Sequence, residues 1–312
     1  MRPPARRLKR LTKISASKRG KPKTFGRIIL SALLIGGFFF LTLLTNKFYR
    51  SNSKVALSIK KNNGDLLVSV FDPLQQEITN ITIPSNTQLT CSRQLGIYKA
   101  KSIWQLGENN NLGGNLMKET IIKTFHFPIN AWADSGAEGL ASGRLWPLLK
   151  SVFSFYKSNL GVGDRLRIAF FSLGLKNFKR VDINLAETMT VKKTKLIDGE
   201  EGYLPVLNIP EKISVIFSDS QAAKQGYKLM LKDATGKNFV AEEVGKTIEV
   251  LGVKVAFVSK ENIKNSDCFI SGKEDYLRAR IAQVFSCEVK KKKLESNFDF
   301  ELEIGEKFAE RF

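Results

Sequence analysis

Apolar residues are spaced in three ways along this chain. Residues Ile28–Thr45, IILSALLIGGFFFLTLLT, form one uncharged run. From 55 to 83 they fall in short runs that predict strands at Val55–Lys60, Leu66–Phe71 and Ile78–Ile83, with Asp72-Pro73 starting the turn between the last two. Further on the spacing lengthens to three and four. Leu116, Met117, Ile121 and Phe125 then share one face of a helix over 116–125, closed by Pro128. The composition of Gly107–Gly114, GENNNLGG, predicts a loop before that helix. RLWPLLKSVFSFYKSNLGVGDRLRIAFFSLG predicts two helices split at Gly161–Gly163, and Arg180–Leu185 a strand. Residues 46–54 read as a short tether, and 186–212 as a linker without clear period.

From Gly226 the pattern is sharper. KLMLK (228–232) predicts a strand and DATGKN (233–238) a turn. Val240, Val244, Ile248 and Leu251 then form one helical stripe, capped by Gly252. Strands follow at 253–259 and 267–271, a helix at 274–285 with Leu277, Ile281, Val284 and Phe285 inward, and an alternating strand at 298–304. The order β-α-β-β-α-β matches the split βαβ type of small domain.

Charge assigns a role to the first apolar run. The chain of 312 residues carries a formal +20, and eleven of its fifty Lys and Arg lie in residues 1–27, which hold no acid. At a helical rise of about 1.5 Å per residue, Ile28–Thr45 spans roughly 27 Å, near the hydrocarbon thickness of a bilayer. NKFYRSNSK beyond it offers no small-x-small cleavage site, which argues against a removed signal peptide. The positive-inside rule then keeps the arm in the cytoplasm and places everything after Asn46 across the plasma membrane, in a single pass. The arm has one aromatic, Phe25, so contact with anionic headgroups is favoured over nucleic acid.

Few residue sets here carry chemistry. His126 is the sole histidine, which excludes a His-based triad or a multi-His metal site; beside Phe125 and Phe127 it reads as a packing residue on the helix. Cys91, Cys268 and Cys287 show no CxxC spacing; Cys268 and Cys287 fall in one predicted domain and could pair, with buried thiols as the default. DATGKN lacks the spacing of a P-loop and reads as a capping turn. Asp198, Glu200 and Glu201 read as solvated charge in the linker, as do Glu242-Glu243 on their helix and Lys290–Lys293 in a loop. The sequon Asn80-Ile81-Thr82 falls inside a predicted strand.

Against this background LLVSVFDPLQQEITNITIPSNTQL, followed by IYKAKSIWQLGENNNLGGNLMKETIIKTFHFPINAWAD, resembles the LytR-CpsA-Psr family. There, two strands end in Ile-Pro-Arg-Asp-Thr, followed by a Lys-led segment, a Gly-Gly turn and a helix. Here Ile83-Pro84-Ser85-Asn86-Thr87 stands at the motif, Lys99 at the Lys and Gly113-Gly114 at the turn. DATGKNFVAEEVGKTIEVLGVKV is similar to the opening of the LytR C-terminal domain. The resemblance implies an α/β fold: a single N-terminal transmembrane helix, an α/β/α domain over 55–210 and a small β-α-β-β-α-β domain over 226–305.

It also implies an envelope protein that moves a polyprenyl-pyrophosphate-linked glycan to peptidoglycan with a divalent metal. Such transfer needs cations on the pyrophosphate and an acid for the metal. The family's Arg-Asp pair is Ser85-Asn86 here, and Asp65 is the one acid retained upstream. The expectation is therefore a non-catalytic protein without a cofactor, which binds cell-wall glycopolymer or polyprenyl phosphate, or scaffolds the envelope. Its ligand-binding candidates are Asp65, Ser85, Asn86, Arg93, Lys99 and Lys101. The alternative is an active Mg- or Mn-dependent phosphotransferase rebuilt on Asp65, Arg93 and Lys99.

Overall fold

The computed structural model describes residues 36–37, 47–49, 53–206, 210–290, 294 and 297–312. The basic arm and, but for Gly36 and Gly37, the predicted membrane span lie outside the described residues. Among the described residues no helix is long and apolar enough to cross a membrane. Residues Thr42–Phe312 form one compact unit.

Its first sheet runs β6-β1-β2-β3-β7. The strands are β1 Val55–Lys60, β2 Leu66–Asp72, β3 Glu77–Ile83, β6 Ala131–Ala133 and β7 Arg180–Asn184. β1, β2 and β3 form an antiparallel meander, and β6 and β7 flank it in parallel pairings. The period-2 pattern of β2 explains its central place. Leu66, Val68 and Val70 face one core cluster while Leu67 and Phe71 face the other, so the whole strand is buried. The Asp72 side chain closes the β2–β3 turn by accepting from Leu74 and Gln75 N–H.

On the first face lie α1 Ala100–Asn109 and α2 Gly114–Phe125, which bring Ile103, Trp104, Leu116 and Ile121 onto the sheet. On the other lie α3 Gly139–Ser142, α4 Leu145–Phe153 and α5 Val162–Gly174, through Leu140, Leu148, Val152 and Ile168. The result is the expected α/β/α layering. Each fully buried Leu or Ile here contributes about 1.5–3 kcal/mol relative to exposure.

Several expectations need correction. The loop expected at Gly107–Gly114 is half helix, because α1 continues to Asn109. Gly107 permits this: a Cβ there would stand 2.3 Å from the Gly113 carbonyl oxygen. His126 is not on the helix; it caps α2 in the left-handed region at φ 51°. Residues 186–212 are not a plain linker: β8 Val191–Lys195 pairs antiparallel with β9 Glu201–Pro205. Nor is the segment after the apolar run a free tether. Phe48 and Tyr49 are buried, and the Asp164 carboxylate of α5 accepts from the Lys47, Phe48 and Tyr49 N–H groups at 2.8–3.1 Å.

After α6 Glu211–Phe217 and α7 Ser220–Gln225, the second sheet runs β11-β10-β14-β12-β13. It comprises β10 Lys228–Ala234, β11 Lys254–Lys260, β12 Cys268–Gly272, β13 Glu288–Val289 and β14 Phe300–Gly305. Its helices are α8 Val240–Leu251, α9 Asp275–Phe285 and α10 Glu306–Arg311. The six expected elements occur in order, with β13 and α10 in addition, but the crossover is not split: β10 and β11 are parallel neighbours, with β14 on the other side of β10. Cys268 and Cys287 are joined in a disulfide rather than left as thiols, and Cys91 is free and buried. The DATGKN turn is closed from within, with Asp233 accepting from the Thr235 N–H and hydroxyl. Lys290, the described member of the four-lysine loop, lies over the Phe269 ring.

The two predicted outer domains share an apolar core. Phe127 stacks on Phe217 at 4.5 Å, and the Lys118 amine of α2 donates to the Gln283 carbonyl near the C-terminus of α9 at 2.5 Å. That contact caps a helix carbonyl left without an intrahelical partner.

Candidate functional site

The register of the first sheet sets Asp65 beside Ser85. Leu66 pairs with Ile83, so the residue before β2 and those after β3 leave the sheet at the same end. Asp65 Oδ1 accepts from the Ser85 N–H at 2.8 Å, and its Oδ2 accepts from the Asn63 amide at 2.7 Å. The Ser85 carbonyl accepts from the Lys101 N–H at 3.0 Å. Asn86 reaches the hairpin: its amide donates to the Glu201 carbonyl at 3.1 Å, and its own carbonyl accepts from the Tyr203 N–H at 3.3 Å. Gly202 makes this approach possible, since a Cβ there would stand 2.5 Å from the Asn86 carbonyl oxygen. Thr87 is fully buried behind the corner.

Sequence reading joined six residues here, and the structure gathers five of them. Lys99 ends β5 Ile97–Lys99, which pairs with β4 Gln88–Thr90. Its amine lies 2.5 Å from Asp198 Oδ2 and 2.5 Å from Glu200 Oε2. Asp198 first, then Glu200, hold the Lys99 amine above its ordinary pKa, and the Asp198 carboxyl is held below its own by Lys99. These acids were expected to be merely solvated; they stay largely exposed but neutralise the nearest lysine. Lys101 is exposed, with its Cβ against Gly64.

Arg93 belongs elsewhere. It lies in the loop of the β4–β5 hairpin, at the end opposite Lys99, and its guanidinium forms a two-pronged bond with Glu119 of α2 at 2.8 and 2.9 Å. Glu119 also lies 3.6 Å from Arg311 of α10. Arg93 is thus part of the contact between the two halves of the unit. Asp65, Arg93 and Lys99 each face a different partner, so they do not assemble the rebuilt transferase site.

A wide cleft of about 1220 Å³ is walled by the two hairpins, the end of α2, α6 and α8. Sequence reading missed it, because its walls come from five segments without a shared motif. Ile97, Leu196 and Leu204 give it aliphatic surface, and Lys123, Lys195 and Glu249 give it both signs of charge. Burial pushes the Lys123 amine and the His126 imidazole below their ordinary pKa values, against the opposing pull of Glu243. His126 Nε2 lies 3.5 Å from Glu243 Oε2, and Lys246 pairs with the same acid at 3.1 Å.

The Ser85–Asn86 corner does not fit a divalent metal. Asp65 is committed to a backbone N–H, Asp198 and Glu200 to Lys99, and Glu201 to Lys193. Among the described residues no three His, Cys, Asp or Glu side chains converge to hold an ion. Phosphoryl transfer concentrates negative charge that cations must offset. Here Lys99 is already matched by two carboxylates.

No known family profile matches the chain, and no curated protein matches it. Among solved structures it is similar to Bacillus subtilis TagT, at 11% identity over 52% of this chain and 88% of that one, with a TM-score of 0.37. It is likewise similar to B. subtilis TagV, at 11% identity over 51% and 92%, with a TM-score of 0.37. A third is the LytR-CPS2A-psr family protein YwtF (TagT) with bound octaprenyl pyrophosphate lipid, at 11% identity over 51% and 87%, with a TM-score of 0.37. At this level of superposition the likeness adds nothing to the residue-level reading.

Proposed function

We propose that this chain is a single-pass plasma-membrane protein of the cell envelope. In this reading its LytR-CpsA-Psr-like half binds cell-wall glycopolymer, or the polyprenyl-phosphate carrier that delivers it, and does not transfer it. One observation carries the reading. The corner that would hold guanidinium and carboxylate instead holds Ser85, whose backbone is tied to Asp65 and Lys101, and Asn86, whose amide and carbonyl hold the hairpin. The 1220 Å³ cleft is the candidate binding surface. Sugar hydroxyls both donate and accept, which suits walls of mixed charge, and Lys123 and Lys195 are placed for phosphate. The portion after Asn46 works outside the cytoplasm, and the LytR C-terminal-like half extends the cleft wall through α8.

The test uses the full-length chain in detergent with a polyprenyl-pyrophosphate-linked glycan and Mg²⁺ or Mn²⁺. Retention of the ligand without release of polyprenyl phosphate is expected. Lys123→Ala and Lys195→Ala each weaken retention by about three- to tenfold, the worth of roughly one solvent-accessible hydrogen bond. Metal-dependent turnover that disappears in Ser85→Ala or Asn86→Ala would overturn the reading.

A further inference from the structure

The outward faces of α4 and α5 are apolar where a water-facing helix should be polar. On α5 the inward positions Gly163, Asp164, Ile168 and Ser172 are buried, as the helical period requires. The opposite side exposes Val162, Phe170 and Leu173, and Phe170 is 70% exposed. On α4 the inward positions are Leu148, Ser151 and Val152, and the outward ones include Leu145, Trp146 and Phe153. Trp146 is 80% exposed and Phe153 66%. Phe178, in the turn Asn177–Lys179 before β7, is 74% exposed. Both helices cover the same face of the sheet, so their outward ridges turn the same way. Large exposed apolar side chains gathered on one layer mark a contact.

Charge and position say what the contact is. Between Glu138 and Asp182 the only acid is Asp164, which is fully buried. Arg144, Lys150, Arg167, Lys176 and Lys179 lie among or beside the exposed rings, and none pairs with a described acid. Aromatic rings interleaved with flexible cations suit a bilayer interface, where rings sit at headgroup level and long basic side chains reach phosphate. The same layer also holds the residues that follow the apolar run in sequence. Asp164, at the start of α5, grips the N–H groups of Lys47, Phe48 and Tyr49, and Tyr49 packs on Phe171 at 6.1 Å. Lys47 follows the end of the apolar run by two residues.

We propose that the α4–α5 face, with the turn at Phe178, rests on an anionic bilayer as a second, peripheral membrane contact beside the predicted span. The inference rests on the membrane-anchor reading but not on the identity of the glycan ligand. It fixes the orientation of the outer unit: the first sheet's α3–α5 layer faces lipid, and α1 and α2 face away.

The test places the full-length chain, one copy per disc, in nanodiscs of phosphatidylcholine and phosphatidylglycerol with brominated acyl chains. Subtracting the emission of Trp146→Phe isolates Trp146. The expected result is a blue-shifted Trp146 component quenched by the lipid-borne bromine and shielded from aqueous iodide. Replacing phosphatidylglycerol with phosphatidylcholine, or introducing Arg144→Glu, Lys150→Glu and Arg167→Glu together, lowers that quenching about threefold. A Trp146 that stays open to iodide and silent to bromine overturns the proposal. So does protection that appears only with two copies per disc, which would mark a self-association face. Failure of the chain to float with the discs would refute the anchor reading; flotation with a water-exposed Trp146 refutes this inference alone.

Discussion

Lys118 offers the sharpest energetic test of the interior. Its side chain is 2% exposed, and burial pushes its amine down to about 7, with Glu119 pulling the other way. An unfolded lysine titrates near 10.4. Below pH 7 both states hold the proton, and the fold bears the full cost of a buried charge. Above pH 7 the folded protein has released the proton while the unfolded chain keeps it, so stability rises with pH until about 10.4. The slope is about 1.4 kcal/mol per pH unit, or about 2 kcal/mol between pH 7.5 and 9. For a unit of this size that is a rise of about 4–8 °C in melting temperature. Lys118→Met keeps the volume and removes the charge, at the cost of the bonds to the Gln283 carbonyl and Ser286 Oγ. The variant is expected to be more stable than wild type at pH 7.5, by about 1–4 kcal/mol, with the gap closing toward pH 9. The assay is thermal unfolding of both full-length proteins in detergent, followed by near-ultraviolet circular dichroism. Parallel curves across that pH range would show that no buried amine titrates there.

Three further outcomes are expected. Replacing Cys268 and Cys287 with serine opens a loop of nineteen residues and lowers stability by about 3 kcal/mol, read as a melting shift that reductant reproduces in wild type. Gly202→Ala drives a Cβ against the Asn86 carbonyl and lifts the β8–β9 hairpin, so amide exchange at Tyr203 accelerates while β2 is unchanged. Asp164→Asn weakens the grip on three backbone N–H groups by about 1–3 kcal/mol, and exchange at Phe48 and Tyr49 rises accordingly.

Where local periodicity decided the structure, the sequence was readable. β1 has the predicted bounds, and α8 carries its stripe of Val244, Ile248 and Leu251 up to the left-handed Gly252. The hairpin at 191–205 was hidden because its strands bury almost nothing. VKKTK contributes only Val191 to the core, and the pair is held by Asn86, Lys99 and the Lys193–Glu201 contact. No window of sequence shows such long-range partners. Arg93 was misplaced for the same reason, since its partner Glu119 lies a whole helix away. The Ser85–Asn86 corner was legible as a loss of charge. That Asp65 spends itself on the Ser85 N–H required the register of β2 against β3.

The hold on Lys47–Tyr49 has a mechanical outcome. Asp164 takes the N–H groups of this segment, while Gln283 of α9 donates to the Lys47 carbonyl at 2.8 Å, so both sheets' layers grasp the same three residues. Lys47–Tyr49 is therefore part of the folded unit and not a loose lead-in to it. A pull on this end of the chain is borne at once by a carboxylate of one layer and an amide of the other, so it cannot peel away from one sheet without also letting go of the second.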